Sequence, residues 1–298
     1  MIGQIPWPQL SMLAGSLEEL DMSENYLSST IGFEVGSLSN LVKLKLDNNY
    51  RLDENDNLIS NGIQGPIPGS IGGLNKLEEL RLDNNYVGGA IPASIGTLQG
   101  LVVLRLESNN LQSSIPSTIG NLASLQYFHL WSNYISSTIP GQLGRLTQLR
   151  ELFLDDNELT GYIPPELGQL TSANYISLAE NNLSGVIPPT FGMLSNIGRI
   201  DLQFNNLVGE VPTQLGNLPL GMLKLEGNNF YGDIPEAICQ NIQYLSGNCS
   251  TGRRRLSESV GRDWGIVDSV TQNAPTPSPT FHYWWSCNCC TTCYPGEQ

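Results

Sequence analysis

The chain has 298 residues, of which 28 are acidic and 14 basic, so its formal net charge is −14 and its pI is near 4.4. This charge argues against a nucleic-acid-binding protein, because such proteins need a basic face, and the anionic surface should repel acidic membranes. No apolar run reaches the roughly 18 residues of a membrane-spanning helix, so the sequence predicts no membrane span in this chain.

Residues 1–16 are in phase with the repeat that follows, with Gly3, Ile5 and Pro6 at positions that recur in later units. We interpret this segment as a partial repeat with a truncated N-terminus, preceded by neither a signal peptide nor a cap. Because the terminal turns of a repeat array need a polar cap, we expect the natural chain to begin further upstream. The missing signal peptide is therefore not evidence for a cytosolic protein.

Residues 17–238 consist of nine units of about 24 residues, which start at Leu17, Leu41, Leu77, Leu101, Leu125, Leu149, Ala173, Ile197 and Leu220. Within a unit the apolar positions are 1, 4, 6, 11, 15, 19 and 22. Positions 4 and 6 alternate with polar residues, which is typical of a strand, and no stretch keeps helical spacing. The pattern predicts a solenoid in which each turn contributes one parallel strand and a short, irregular return path.

The ninth position is Asn in all nine units: Asn25, Asn49, Asn85, Asn109, Asn133, Asn157, Asn181, Asn205 and Asn228. An amide both donates and accepts, so an inward Asn can satisfy backbone groups of neighbouring turns. We interpret this column as structural. Ile-Pro pairs such as Ile91-Pro92 fix an extended return segment, and a Gly two residues earlier, such as Gly89, permits a tight turn.

Together these residues follow the pattern LxxLxLxxNxLxGxIPxxLGxL, which resembles the plant-type leucine-rich repeat over roughly residues 2–240. That family includes receptor-kinase ectodomains, receptor-like proteins and secreted polygalacturonase inhibitors. The resemblance implies a right-handed solenoid with its strands on a curved concave sheet and short irregular or 3-10 segments on the convex side. The pattern departs from the family at Ile31-Gly32, where the Pro is missing, and at Ser29, Ser113 and Ser137, which replace the Gly.

The second unit carries an insertion near residues 51–62 (RLDENDNLISNG), just after the strand and at the rim of the sheet. Asp53 opens a segment that resembles the start of a calcium loop, but Leu58 and Gln64 stand where that loop needs Gly and Glu. We therefore predict a solvated loop and no metal site, with ligand contact as the alternative because insertions in receptor relatives contribute to it.

All six cysteines lie at the C-terminal end. Cys239 and Cys249 predict a disulfide-stapled cap over residues 239–250. A Pro/Ser linker follows over residues 251–280, and then an aromatic and Cys-rich tail over residues 281–298. Four tail cysteines predict a small disulfide knob, with a zinc site as the alternative: Cys287, Cys289, Cys290 and Cys293. The tail also resembles secreted or surface leucine-rich-repeat proteins of unicellular algae.

The even cysteine count fits an oxidising compartment, so we expect an extracellular or cell-surface protein. Two N-glycosylation sequons, at Asn182 and Asn248, are compatible with that location.

Positions 2, 3, 5, 7 and 8 of each unit point away from the core, onto the open face of the predicted sheet. In turns two to four, cations and anions two residues apart predict a solvated, mutually neutralised ladder: Lys45/Asp47, Arg81/Asp83 and Arg105/Glu107. Turns five to seven carry clustered aromatic residues, which are typical of interaction hot spots. The candidate ligand-binding residues are Tyr127, His129, Trp131, Phe153, Tyr175, Arg150 and Asp155. The alternative is cross-strand packing that stabilises the sheet.

The sequence therefore predicts a ligand-recognition module that binds a peptide or protein on its concave face. A second hypothesis is a secreted inhibitor whose partner is a secreted glycosidase or another polysaccharide-degrading enzyme, and a third is an ice- or glycan-binding surface protein. The chain has two histidines, and no nucleophile, base and orienting residue occur at motif spacing. We accordingly predict no enzymatic activity and no cofactor.

Overall fold

The computed structural model describes residues 2–52, 58–241 and 244–245, all within the first of two compact units, residues 1–262. The second unit, residues 263–298, lies outside the described residues, as do the tail cysteines and Asn248. The strands are β1 (Ile2–Gly3), β2 (Glu19–Asp21), β3 (Tyr26–Thr30), β4 (Lys43–Lys45), β5 (Tyr50–Leu52), β6 (Leu58–Pro66), β7 (Glu79–Arg81), β8 (Tyr86–Gly89), β9 (Val103–Arg105), β10 (Asn110–Ser113), β11 (Tyr127–His129), β12 (Tyr134–Thr138), β13 (Glu151–Phe153), β14 (Glu158–Tyr162), β15 (Tyr175–Ser177), β16 (Asn182–Gly185), β17 (Arg199–Asp201), β18 (Asn206–Gly209), β19 (Met222–Lys224), β20 (Asn229–Phe230) and β21 (Tyr244–Leu245).

Two sheets run the length of the described repeat array. The ten-stranded sheet is parallel and has the order β2-β4-β7-β9-β11-β13-β15-β17-β19-β21. The eleven-stranded sheet has the order β1-β3-β6-β8-β10-β12-β14-β16-β18-β20, with β5 paired to β6. Eight 3-10 segments lie on the return path: Phe33–Ser37, Gly69–Gly73, Ala93–Thr97, Ser117–Asn121, Gly141–Arg145, Pro165–Gln169, Pro189–Met193 and Thr213–Asn217. Two short helices, α1 (Trp7–Ser11) and α2 (Glu236–Asn241), stand at either end.

This architecture confirms the predicted leucine-rich-repeat solenoid with 3-10 segments on its return path. It also adds a second strand to each turn, which the sequence pattern did not predict. The second strand begins just after the position-9 Asn and ends before the Ile-Pro pair, as in β14, which precedes Ile163. Its pairing arises because stacked turns place equivalent backbone segments side by side.

The core is a single cluster of buried apolar side chains from both sheets and from the 3-10 segments. In turn four, Leu104 comes from the ten-stranded sheet, Leu111 from the eleven-stranded sheet and Ile119 from the return path, and all three are fully buried. Each turn repeats this arrangement, at roughly 1.5–3 kcal/mol for each buried side chain. In β9 only the middle residue is buried, so the residues flanking Leu104 define the open face of the ten-stranded sheet.

The predicted Asn ladder is confirmed. Asn109 is representative: its Oδ1 accepts from the Val87 backbone N–H at 2.9 Å. Its Nδ2 donates to the carbonyls of Leu82, Leu106 and Glu107 at 2.9, 3.1 and 3.1 Å. Each such amide joins two turns where the chain leaves the strand, so the column supplies buried backbone groups with partners that the sheets do not provide.

The turn before each Ile-Pro pair also matches its prediction. Gly89 adopts a left-handed backbone with φ of 74°, and Ser113 and Ser137 adopt the same conformation with φ of 72° and 71°. The two serines therefore replace glycine without changing the turn.

The described flanks of the insertion form strands, which the sequence had predicted as part of a solvated loop. Its flanks form a β-hairpin in which β5 pairs antiparallel with β6, with a register shift between Arg51 and Leu52. Residues 53–57 lie outside the described residues. At the N-terminal end, Trp7 of α1 is buried, and its Nε1 donates to the Thr30 carbonyl at 2.7 Å.

Candidate binding face on the ten-stranded sheet

The predicted aromatic residues of turns five to seven lie on adjacent, in-register strands. Tyr127 of β11 is opposite Glu151 of β13, which is opposite Tyr175 of β15. His129 is likewise opposite Phe153. This register follows from the 24-residue period, since each turn places the same position beside its neighbour. The side chains of positions 3 and 5 therefore form two rows across the strands.

Ring contacts join these rows into one cluster. The rings of His129 and Phe153 stack at 4.5 Å with an interplanar angle of 23°. Phe153 meets Tyr175 edge to face at 4.7 Å and 71°. The Arg199 guanidinium lies 5.4 Å from the centre of the Tyr175 ring. Each aromatic pair contributes about 0.5–1.5 kcal/mol beyond burial, so these contacts favour the observed arrangement of the rings.

His129 does not project as an open ligand contact, and this part of the prediction is wrong. It is 5% exposed, because its ring packs between Phe153 and two carboxylates. Its Nε2 lies 2.9 Å from Glu151 Oε2, and its Nδ1 lies 3.7 Å from Glu107 Oε1. His129 therefore positions Glu151 and Phe153 rather than presenting its own surface.

The other predicted residues keep accessible surface. Tyr127, Trp131, Phe153 and Tyr175 are half-buried, whereas Arg150 is exposed. Half-burial lies between the two interpretations from the sequence: part of each aromatic side chain is exposed, and part packs against neighbouring strands. Asp155 is also half-buried, and loss of hydration raises the pKa of its carboxyl to about 6, although a hydrogen bond with the Ser177 side chain opposes the rise.

The predicted neutralised ladder of turns two to four is wrong. Lys45 lies 3.5 Å from both Glu19 and Asp21, and Arg81 pairs with Glu79. The cations thus pair with acids on positions 3 and 5, where facing side chains come closest. This leaves Asp47, Asp83 and Glu107 buried without the expected partners: they are 8%, 6% and 5% exposed, respectively.

Burial without a bonded cation shifts the titration of these carboxyls. Loss of hydration, with the negative charges of Glu107 and Asp47, raises the pKa of Asp83 to about 7. Loss of hydration also raises the pKa of Asp47 above its ordinary value. Sequence reasoning missed this group, although one signal was available: the seventh position carries an acid in five of nine turns and never a base.

The remaining predicted sites lie away from the ten-stranded sheet. Cys239 takes part in a disulfide bond, but its predicted partner Cys249 lies outside the described residues, so this pairing stays a prediction. Asn182 is exposed at the start of β16. Within the described ranges, no three His, Cys, Asp or Glu side chains are grouped so as to hold a metal ion. No described helix is long and apolar enough to cross a membrane.

Comparison with known families identifies the repeats. The family described as "Leucine-rich repeat region" matches residues 57–163, and "Leucine Rich Repeat" matches residues 16–38 and 172–194. The chain is also similar to the ectodomain of the Arabidopsis thaliana membrane receptor kinase GASSHO1/SCHENGEN3, solved with CASPARIAN STRIP INTEGRITY FACTOR 2. That match has 36% identity and a TM-score of 0.73. The chain is a plant-type leucine-rich-repeat protein.

Two further solved structures place this leucine-rich-repeat protein among others of its fold. The Arabidopsis receptor kinase HAESA, in complex with the peptide hormone IDA and the co-receptor SERK1, is 31% identical with a TM-score of 0.71. A plant ice-binding protein, at 22% identity, 0.56 TM-score and coverage of 78% and 80% of the two chains, shows a shared fold alone. The alignments cover 82% and 86% of this chain but only 28% and 42% of the two receptor chains. No curated protein sequence matches significantly.

Proposed function

We propose that this leucine-rich-repeat protein is an extracellular recognition module that binds a peptide or protein on the open face of its ten-stranded sheet. The contact residues in this proposal are Tyr127, Trp131, Phe153 and Tyr175, with Arg150 and Asp155 as polar flanks. One observation carries it: ring contacts join His129, Phe153 and Tyr175 across three adjacent strands. Tyr127 lies on the first of these strands and Trp131 just beyond its end, and both are half-buried.

The chemistry of the cluster suits a peptide. Tyr and Trp supply large contact areas at a low cost in conformational entropy, because each has only two rotatable side-chain bonds. Phe153 is held by ring contacts on both sides, so its orientation is fixed before binding. Arg150 is exposed beside the cluster and can meet a carbonyl or carboxylate of the ligand.

The comparisons support a peptide partner. The two receptor ectodomains were both solved in complex with a protein or peptide partner. An ectodomain lies outside the cell, which supports an extracellular location, and such domains recognise ligands rather than catalyse reactions. No comparison supports a glycosidase partner for this chain, and the ice-binding neighbour is too distant to carry an argument beyond fold.

A phage-displayed library of random 12-residue peptides tests the proposal. Peptides would be selected on the full chain, and their affinities measured by fluorescence anisotropy for wild type and for Tyr127→Ala combined with Trp131→Ala. We expect at least a tenfold loss of affinity, about the size of hot-spot effects, with a melting temperature within a few degrees of wild type.

The matched control is Tyr134→Ala combined with Tyr162→Ala. These tyrosines are 56% and 73% exposed and belong to the eleven-stranded sheet. Equal losses of affinity in both double variants, or unchanged affinity in the first, would refute the proposed face. Unfolding of the first variant would make the aromatic cluster structural, and the single variant Trp131→Gln would then replace it in the binding assay.

A further inference from the structure

The outer face of the eleven-stranded sheet carries exposed apolar side chains in turns six to eight. Tyr162 is 73% exposed, Val186 51% and Val208 41%. Tyr162 ends β14, Val186 directly follows β16 and Val208 lies in β18. We call these three residues the apolar stripe. In the five preceding turns the same two positions of the repeat hold only Ser, Thr, Gln, Gly, Pro or Ala, so stacking of the turns does not require large apolar side chains there.

The apolar stripe is continuous, because two of its side chains lean over the next strand. A Cβ atom on Gly185 would collide with Tyr162 Cδ1, so the tyrosine ring lies against the backbone of β16. A Cβ atom on Gly209 would lie 2.8 Å from Val186 Cγ1, so this methyl group covers β18 in the same way. The register of β16 with β18 brings Val186 beside Val208. The stripe therefore crosses three strands, with the backbone beneath it and solvent above it.

The sequon Asn182-Leu-Ser184 lies on the same surface. Asn182 is exposed at the start of β16 and is opposite Thr160 of β14, so Tyr162 is its diagonal neighbour. The Cβ atoms of diagonal neighbours on one face are about 7–8 Å apart. The Tyr162 ring lies over Gly185, three residues or about 10 Å along β16 from Asn182. A glycan attached to Asn182 therefore begins where its first two sugars can reach the ring.

The chemistry of this surface suits a neutral sugar. Polar, uncharged side chains border the stripe, namely Thr160, Ser184 and Asn206. A pyranose ring presents C–H groups on one face and hydroxyls at its rim. The C–H groups are electropositive and pack on the electron-rich face of an aromatic ring such as that of Tyr162, while the hydroxyls meet the polar border. Exposed contiguous apolar surface of this kind normally has an occupant.

We propose that an N-linked glycan on Asn182 covers the apolar stripe, with its first sugars packed on Tyr162 and Val186. This inference rests on the extracellular location in the proposed function, because such glycans are added in the secretory pathway. The host transferase forms a bond from Asn182 Nδ2 to the anomeric carbon of a lipid-pyrophosphate-linked oligosaccharide, the lipid pyrophosphate leaves, and the amide loses one proton. Covalent attachment gives the sugars a high effective concentration over the stripe, so contacts too weak for a free sugar still form.

A double-mutant cycle on protein from a secretory host tests the proposal. Asn182→Gln removes the glycan, Tyr162→Thr removes the ring, and a third variant combines both. Threonine already occupies the same position in turns one and five, as Thr30 and Thr138, so the stacking of the turns is kept. Mass spectrometry establishes occupancy at Asn182, and circular dichroism gives the melting temperatures. Tyr162→Thr should lower the melting temperature by about 3 °C more in the glycosylated chain than in the Asn182→Gln background.

The matched control is Tyr134→Thr. Tyr134 is 56% exposed and belongs to β12 of the same sheet, which is not adjacent to β16. Its effect on the melting temperature should be the same with and without the glycan. A second measurement uses the fluorescence of the hydrophobic dye anilinonaphthalene sulfonate. Its signal should rise about twofold when Asn182→Gln uncovers the stripe and fall back when Tyr162→Thr is added.

Each other outcome decides against the proposal. An unmodified Asn182 in protein from the secretory host would overturn it, and so would additive effects of Asn182→Gln and Tyr162→Thr, which would mean that the glycan extends into solvent. A dimer of the glycosylated chain that Tyr162→Thr dissociates, as measured by light scattering, would assign the stripe to a second copy of the chain. Peptide affinity at Tyr127 and Trp131 is measured separately on the other sheet, so these failures are distinguishable from a failure of the proposed function.

Discussion

The raised pKa of Asp155 predicts that this carboxyl makes the protein more stable at mildly acidic than at neutral pH. Burial raises the pKa of this carboxyl from 3.8 to about 6 in the folded chain. As the pH rises, the unfolded chain therefore loses this proton first, and the free energy of unfolding falls between about pH 4 and pH 6. At 1.36 kcal/mol per pH unit, a difference of about two units corresponds to about 3 kcal/mol. Solvent near this half-buried group reduces the expected effect to about 2 kcal/mol.

The assay is urea unfolding of wild type and Asp155→Asn at half-unit steps from pH 4 to pH 8, followed by circular dichroism. The advantage of the variant over wild type should grow by about 2 kcal/mol between pH 4 and pH 6, and then stay constant. Glu158→Gln, an exposed acid of the same turn, should show no such trend. A constant difference across the whole range would refute the reasoning, because it would mean that Asp155 titrates alike in the folded and unfolded chains.

Three further substitutions test other features. Asn133→Ala removes an Oδ1 that accepts from Leu111 N–H and an Nδ2 that donates to three carbonyls. It should lower stability by about 3 kcal/mol in urea unfolding, and a loss below 1 kcal/mol would contradict the structural role of the ladder. Phe204→Asn relieves a left-handed φ of 52° at an aromatic residue and should raise the urea midpoint by the equivalent of about 1 kcal/mol, so a lower midpoint would refute it. Asn182→Gln should remove one glycan from protein made in a secretory host, as read by mass spectrometry, and an unchanged mass would exclude the site.

The parts of the fold that could be predicted are those that recur at the same position in every 24-residue turn. Leu104 and Asn109 recur at fixed positions in every turn, so their burial and bonding follow from the period alone. The second strand could not be predicted in this way. Its residues, such as Asn110-Leu-Gln-Ser113 in β10, include few β-branched or aromatic side chains. The pairing comes from stacked turns and not from local propensity, which is why a reading of one unit does not reveal it.

In the candidate site, too, the strand register could be predicted from the period, whereas the side-chain partners could not. That Tyr127, Glu151 and Tyr175 share a row follows from register and could be predicted. The partners of charged side chains could not, because they depend on side-chain reach between strands. Lys45 extends back to Glu19 and Asp21 of the preceding turn and not to Asp47 of its own. His129 is buried for the same reason, since Glu107 and Glu151 approach it from the turns on either side.

In a repeat protein, a residue that differs from those at the same position of the other turns is a candidate for recognition, because a purely structural residue recurs. A residue that recurs in every turn, such as the position-9 Asn, is explained by the stacking that all turns share. Trp131 has no such explanation, because the seventh position otherwise carries Asp, Glu, Ser, Gln or Ala. The backbone there accepts small and acidic side chains, so stacking does not require an indole. In the proposed function the Trp131 ring is a ligand contact, which the Trp131→Ala and Trp131→Gln variants test.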